Sequence, residues 1–188
     1  ALGGTTMVHG IHAMDLWLWL LGDWRELCAQ AATLEQPIEV ENVSMALVRF
    51  ENGALGSVVN SALSPRQESY LRFDFQKITV ELRHLYGFGN QNWTYTLPEG
   101  GKDRTPLVRL EAVPGARHSS HGALLADMLA CMERGERPAV SGAEARRIVE
   151  FISCLYKSAA TGAALTRGSL PKDDPFYRRI YGTLGERK

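Results

Sequence analysis

Two periodicities divide this chain of 188 residues. In its opening and in its last third, apolar residues recur at the spacing of a helix, and in between they alternate with polar residues at the spacing of a strand. The first helical pattern follows a glycine-rich opening and is apolar from Leu16 to Leu21. We therefore predict a helix that begins near Gly10 and ends at Gly22.

Two more helices are predicted in the last third. One runs from His121 to Arg134 and stops at Gly135, and the other opens with the capping sequence Ser141-Gly-Ala-Glu144 and ends near Gly162. Each has one apolar stripe, which is predicted to belong to the core and not to a cofactor site. The stripes are Leu124, Leu125, Met128, Leu129 and Met132 in the first, and Ile148, Phe151, Ile152, Leu155 and Tyr156 in the second. In the tail, Phe176, Tyr177 and Tyr181 are predicted to pack without forming a new domain.

The middle of the chain predicts an antiparallel sheet. After a short apolar strand over 27–34, residues 43–50 and 54–62 flank Glu51-Asn52-Gly53, whose Asn-Gly pair favours a tight hairpin turn. Strict alternation continues over 70–76, 78–83 and 93–97, which is typical of a half-buried antiparallel sheet. Strands between helices indicate an α+β fold, and the length suits a single domain over 1–188.

Composition excludes several classes of protein. Lys and Arg together number 21, as do Asp and Glu, so no basic surplus points to nucleic acid. The three cysteines are far apart and fit neither a disulfide framework nor a zinc site, which favours a reducing, cytoplasmic location. The apolar run over 16–21 is too short to cross a membrane, and no signal peptide precedes it. No Gly-x-Gly-x-x-Gly lies between a strand and a helix, so no dinucleotide-binding domain is expected in this chain.

Candidate chemistry lies where the glycine-rich opening becomes the first helix. His12, Asp15 and Trp19 share one helical face, and an imidazole beside a carboxylate is a common proton-transfer group. A structural alternative is that Asp15 caps or pairs locally and His12 is a half-buried histidine. His9, His12 and Asp15 could also bind a metal, but steps of three on a helix separate the outer two by about 120°. We predict His12 and Asp15 as catalytic residues and no metal.

Three further residues are candidate substrate contacts. His9 is adjacent to the proposed site, Arg66 stands at a strand end in Ser64-Pro65-Arg66-Gln67, and His118 precedes a helix start. Alternatives remain for the last two, because an exposed loop arginine and a histidine that caps a helix need no ligand.

The same residues carry a resemblance to a known family. The glycines at 3, 4 and 10, then Ile11-His12-x-x-Asp15, and then Leu-Trp-Leu-Leu-Gly ending at Gly22, resemble the opening of the C-terminal domain in Gfo/Idh/MocA oxidoreductases. This is the family of glucose-fructose oxidoreductase and inositol dehydrogenase. The similarity continues over 60–67, over 79–89, in the helix from His121, and over 155–162, and so covers most of the chain.

The resemblance implies a large, mostly antiparallel open sheet with helices packed on one face. It also implies an oxidoreductase in which a nicotinamide, NAD or NADP, takes hydride from a sugar, a polyol or a related small molecule. The motif histidine, which falls on His12, and a lysine of the N-terminal domain handle the hydroxyl proton. That domain is missing here, so we expect a truncated or proteolytic fragment that is inactive alone. Many members have an aspartate four residues before the histidine, where this chain has Val8.

Two functions follow as alternatives. The first is the substrate-binding and catalytic half of such an enzyme, with Asp15 orienting His12. The second is a non-catalytic binding or assembly domain, which Val8 favours because valine cannot accept a proton. In either case the resemblance implies a homo-oligomer formed through the open sheet. Its polar face carries Tyr70, Arg72, Thr79, Glu81, Thr94 and Thr96.

Overall fold

A computed structural model describes residues 3–83, 87–105, 107 and 120–182 of the chain. The helices are α1 (Ile11–Leu21), α2 (His121–Arg134), α3 (Gly142–Thr161) and α4 (Pro175–Arg178). The strands are β1 (Trp24–Ala32), β2 (Val43–Phe50), β3 (Leu55–Ser61), β4 (Tyr70–Asp74), β5 (Thr79–Arg83), β6 (Trp93–Thr96) and β7 (Leu165–Thr166). A π-helical turn (Thr6–Gly10) precedes α1, and a 3₁₀ turn (Asn90–Asn92) precedes β6. The chain forms two compact units, one from residues 1–65 and 140–188 and the other from residues 66–139.

The first unit contains a four-stranded antiparallel sheet in the order β3-β2-β1-β7. The hairpin predicted from Asn52-Gly53 is confirmed: β2 pairs with β3, and Val43 lies opposite Ser61. Gly53 has a φ of +87°, which explains the glycine in this turn. Along β2, buried residues alternate with exposed ones, as the period of two predicts.

The core of this unit lies between the sheet and α3. The predicted stripe of α3, from Ile148 to Tyr156, is buried, and the Phe151 ring packs edge-on against Trp24 with centroids 5.6 Å apart. Trp17 of α1 packs in the same way against Phe50 of β2, at 4.7 Å. Aromatic side chains of β1, β2, α1 and α3 therefore meet in one cluster.

The ends of α1 and α3 follow the signals in the sequence. The Ser141 hydroxyl accepts from the backbone of the first turn of α3, while the Glu144 carboxylate accepts from the Ser141 N–H at 2.9 Å, which confirms the capping box. Gly162 ends α3 in the left-handed conformation, and Gly22 follows the last residue of α1. The π-helical turn in front of α1 was not predicted.

The second unit contains a three-stranded antiparallel sheet, β4-β5-β6, and the helix α2. Phe73, Ile78 and Leu82 are buried, which agrees with the alternation of these strands. The α+β fold class with antiparallel pairing is therefore confirmed, and the described strands are divided between two sheets, one in each unit.

The prediction that the apolar stripe of α2 belongs to the core is wrong. The apolar stripe of α2 is exposed, with Leu124, Leu125, Met128, Leu129 and Met132 all between 47% and 65% accessible. Within α2 only Cys131 is buried. The physical reason is that periodicity identifies an apolar face, whereas burial also requires a second surface against it.

No helix in the described part of the chain combines the length and apolar character needed to cross a membrane.

Candidate active site

The predicted site is built on the π-helical turn and on α1. Met14, Trp17 and Leu18 turn inwards and are nearly inaccessible, so the opposite side of α1 is exposed. His12, Asp15 and Trp19 lie on that exposed side, and Trp19 is 73% accessible. His9, in the π-helical turn, is exposed as well. His12 is therefore exposed and not half-buried, while local pairing of Asp15 stays open as the structural alternative.

The electrostatics of the site centre on Asp15. Partial burial of its carboxyl group raises the pKa of Asp15, and the positive charges of Arg147 and of protonated His12 act in the opposite direction. Arg147 comes from α3, and its guanidinium donates to the Leu18 carbonyl in the last turn of α1. The carboxylate therefore shares its surroundings with a histidine on its own helix and an arginine of α3.

A buried carboxylate holds the glycine-rich opening. Glu41, just before β2, is 7% accessible, and its side chain accepts from the backbone N–H groups of Gly4 at 3.2 Å and Thr6 at 3.0 Å. It also accepts from the Tyr156 hydroxyl at 2.8 Å and the Tyr181 hydroxyl at 2.6 Å. Burial and these contacts raise the pKa of Tyr156 and raise that of Tyr181 to about 12, so both phenols stay protonated donors at neutral pH.

Gly4 is required by this contact. A Cβ atom at position 4 would lie 2.0 Å from the Glu41 carbonyl oxygen and 2.3 Å from its carboxylate. Glycine therefore lets the backbone come close enough to donate its N–H to the acid.

Both ends of the π-helical turn contact the sheet. The Thr6 hydroxyl lies 2.6 Å from the Ser44 hydroxyl of β2, which in turn accepts from the Asn60 amide of β3 at 3.2 Å. Gly10 packs directly on Asn60, because a Cβ atom there would lie 2.3 Å from the amide oxygen. Both ends of the turn are thus tied to neighbouring strands immediately before His12.

The glycine-rich opening does not fit a cofactor phosphate. A phosphate-binding loop needs free backbone N–H groups at a helix N-terminus, whereas those of Gly4 and Thr6 are already bonded to Glu41. In the part of the chain that the structure describes, no group of three or more His, Cys, Asp or Glu side chains could hold a metal ion.

The remaining candidates belong to the second unit or lie outside the described residues. Arg66 belongs to the second unit, where its guanidinium pairs with the Glu68 carboxylate, which also accepts from Arg83 at 3.1 Å. His118 lies outside the described residues.

Sequence reasoning missed Arg147, Glu41 and the two tyrosines that contact Glu41. Arg147 lies outside the apolar stripe of its helix, Tyr156 was assigned to that stripe as a core residue, and Tyr181 was predicted only to pack. Glu41 stands in the polar stretch Glu39-Val40-Glu41-Asn42, which looks like a solvent-exposed loop. The only available signal was the pair of adjacent glycines at 3 and 4, which indicates a close backbone approach without naming its partner.

Comparisons with known proteins agree on one family. Residues 2–99 match the family model described as the GFO/IDH/MocA C-terminal domain. A curated relative, D-apiose dehydrogenase from Paraburkholderia graminis, is 27% identical over 174 residues, which are 88% of this chain and 45% of that protein.

Two solved structures of dehydrogenase or oxidoreductase proteins are similar to this chain as well. The WlbA dehydrogenase from Bordetella pertussis, in complex with NADH and UDP-GlcNAcA, matches with a TM-score of 0.69 and 25% identity over 91% of this chain and 46% of its own. An aldose-aldose oxidoreductase from Caulobacter crescentus, complexed with glycerol, shares the fold with a TM-score of 0.66 and 19% identity over 87% and 48% of the two chains. The chain spans less than half the length of each of these relatives.

Proposed function

Because this chain belongs to the Gfo/Idh/MocA family through its C-terminal domain, we propose that it is the substrate-binding and catalytic half of an NAD(P)-dependent oxidoreductase. The substrate is a sugar, a polyol or a related small molecule, oxidised at a CH–OH group, and residues 1–188 act together as one substrate and oligomerisation domain. The observation that carries this proposal is the exposed His12 beside Asp15, on a helix whose start is tied to two strands.

The chain's own part in the reaction is to move a proton. Oxidation of a secondary alcohol releases a hydride from carbon and a proton from oxygen, and the nicotinamide supplies the hydride acceptor. Neutral His12 accepts the hydroxyl proton as general base. The Asp15 carboxylate orients the imidazole and stabilises the imidazolium that forms. His9, Arg66 and His118 are proposed substrate contacts.

The nicotinamide is assigned to the part of the protein that this chain does not cover. Gly4 and Thr6 have no free N–H group for its phosphates, and the WlbA dehydrogenase was solved with NADH. The cofactor of the complete enzyme is NAD or NADP. Cys28, Cys131 and Cys154 are all free, which fits a reducing cytoplasm.

The alternative is a binding or assembly domain without catalysis. It is favoured by Val8, which is 53% accessible on the turn before α1 and has no group that could exchange a proton. Under this alternative the exposed face of α1 would still contact a ligand, but His12 would take no part in a reaction.

Assembly through an open sheet face is proposed under both functions. The polar face named from the sequence, between Tyr70 and Thr96, belongs to the sheet of the second unit, whereas the sheet of the first unit has an exposed apolar face. In the first unit Met45, Leu47, Leu55 and Val59 are between 45% and 73% accessible. Met45 lies opposite Val59, and Leu47 lies on the same face one pair further along β2. An apolar face of this kind is suited to a second copy of the chain.

The test is the variant His12→Asn in the complete protein. We expect kcat for a sugar or polyol, assayed with NAD⁺ and NADP⁺, to fall by about 10²- to 10⁴-fold, because the general base is lost. The control is His121→Asn, which changes an equally exposed histidine at the start of α2. If His12→Asn retains the turnover of the wild type, His12 is not catalytic and the non-catalytic alternative gains support.

A further inference from the structure

We propose that Glu41 is a positioning residue: its carboxylate fixes the start of the helical segment that carries His12 and so sets the place of the imidazole. This inference rests on the proposed function, since it assigns Glu41 a part in the same reaction. Glu41 does not contact the exposed face of α1, and its action is entirely through the backbone of the glycine-rich opening.

Both oxygens of the Glu41 carboxylate accept two hydrogen bonds each. One oxygen of Glu41 accepts from the Thr6 N–H and the Tyr156 hydroxyl, and the other accepts from the Gly4 N–H and the Tyr181 hydroxyl. The Glu41 carbonyl also accepts from the Thr5 N–H at 3.2 Å. A single residue therefore satisfies three consecutive backbone donors of the opening.

Glu41 is the common acceptor of these three N–H groups, and the Gly4 N–H donates to the Tyr181 hydroxyl as well. The first N–H groups of a helical segment lack an intrahelical acceptor, and buried ones must find one elsewhere. Thr5 and Thr6 are buried. A side-chain acceptor with two oxygens thus suits this place, and only a carboxylate can accept on both oxygens at once.

A continuous helical segment connects the backbone that Glu41 holds with His12. Thr6 begins the π-helical turn, and the turn continues without interruption into α1. Its far end rests on the sheet at Gly10, two residues before His12. Because both ends of this five-residue turn are held, a shift at Thr6 is transmitted along a stiff segment. π-helical turns are frequent at functional sites, where such adjustments of side-chain direction are needed.

The experiment is Glu41→Gln in the complete protein. An amide has one acceptor oxygen and one donor nitrogen, so residue 41 can no longer accept from both the Gly4 and the Thr6 N–H groups, although the Gly4 N–H keeps the Tyr181 hydroxyl as an acceptor. We expect kcat to fall at least tenfold with a smaller change in KM, since small misplacements of a catalytic group are costly. The matched control is Glu39→Gln, which removes the same charge from an exposed residue two positions earlier, and its kcat should equal that of the wild type.

A readout that a merely structural role would not change is the coupling between Glu41 and His12. In a His12→Asn background, Glu41→Gln should lower kcat no further, because there is no imidazole left to position. A loss of folded protein would lower the rate equally in both backgrounds. Circular dichroism and the thermal midpoint report the folded fraction independently. Tyr181→Phe keeps the carboxylate but removes the hydroxyl that donates to it and accepts from the Gly4 N–H, so it extends the test if Glu41→Gln fails to fold. We expect it to lower kcat in the same direction, by a smaller factor.

Each outcome separates the two proposals. If His12→Asn abolishes turnover while the folded Glu41→Gln and Tyr181→Phe variants keep the wild-type kcat, Glu41 has no positioning role and the proposed function stands. The positioning role is also overturned if Glu41→Gln lowers kcat by the same factor with and without His12. If His12→Asn itself leaves kcat unchanged, it is the proposed function that fails.

Discussion

Asp15 illustrates how a single residue combines conflicting demands. Burial of part of its carboxyl group raises the pKa of Asp15, although Arg147 and His12 favour the charged form. A carboxylate that orients a histidine must be ionised at neutral pH, so the site keeps this charge at the expense of stability.

The pH dependence of stability tests this interpretation of Asp15. An acid whose pKa is higher in the folded state than in the unfolded state, here above 3.8, binds more protons when folded. The stabilisation that this proton gives the folded state is fully present below pH 3.8, and it is lost as the pH rises through the folded pKa. We therefore expect Asp15→Asn to gain stability relative to the wild type as the pH rises through that window. Urea midpoints of both proteins from pH 3 to pH 7 measure the difference, and two parallel curves would contradict the shift.

At the scale of elements, α2 and α3 show that two helices with similar apolar stripes can be buried to different extents. Both helices begin at a serine cap and end at a left-handed glycine. The stripe of α3 is packed against β1 and α1, whereas the stripe of α2 is exposed. The hydrophobic effect stabilises an apolar side chain only in proportion to the area removed from water, so only the α3 stripe contributes strongly to the described structure.

Truncation of matched residues checks this difference. Ile152→Ala in α3 should lower the free energy of unfolding by about 2–5 kcal/mol, because the side chain is fully buried and leaves a cavity. Leu125→Ala in α2 should lower it by less than about 1 kcal/mol, because the side chain is 55% accessible. Urea denaturation of the complete protein measures both. A loss for Leu125→Ala as large as that for Ile152→Ala would mean that another surface covers the α2 stripe in solution.

At the scale of the whole molecule, the open face of the first sheet is an apolar surface that stays exposed in the described part of the chain. Ser44, Ala46, Val48 and Phe50 of β2 turn to the buried side, so Met45 and Leu47 must turn to the other. The neighbouring strand adds Leu55 and Val59 to the same exposed side. A second copy would remove this apolar area from water.

A charge on this face should disrupt the assembly. Leu47→Glu places a carboxylate at a position that is 69% accessible in the single chain, and two copies would bring like charges into an apolar interface. We expect the wild-type complete protein to be an oligomer and the dissociation constant of the variant to rise about 100-fold or more. Light scattering after size-exclusion chromatography measures the mass. Leu34→Glu, at an exposed leucine in the loop before β2, is the control. A monomeric wild type, or a variant with unchanged mass, would refute assembly through this face.

The sequence by itself determined the elements and the class of fold. The Asn52-Gly53 turn, the capping box at Ser141 and the stops at Gly22 and Gly162 act within a few residues, so each could be located without knowing the rest of the chain. Alternation and helical spacing likewise revealed which faces are apolar. The placement of His12, Asp15 and Trp19 on one side of α1 follows from helix geometry alone, and the structure bears it out.

Tertiary structure alone decided which surfaces meet. Glu41 and Tyr156 are 115 positions apart, and Tyr181 is 140 positions beyond Glu41, so no local pattern could bring them to the Gly4 and Thr6 N–H groups. The same holds for Arg147 near Asp15 and for the exposed stripe of α2. The physical reason is that caps, turns and periodicities are set by neighbours in sequence, whereas burial, charge pairing and the satisfaction of buried donors depend on contacts between distant segments.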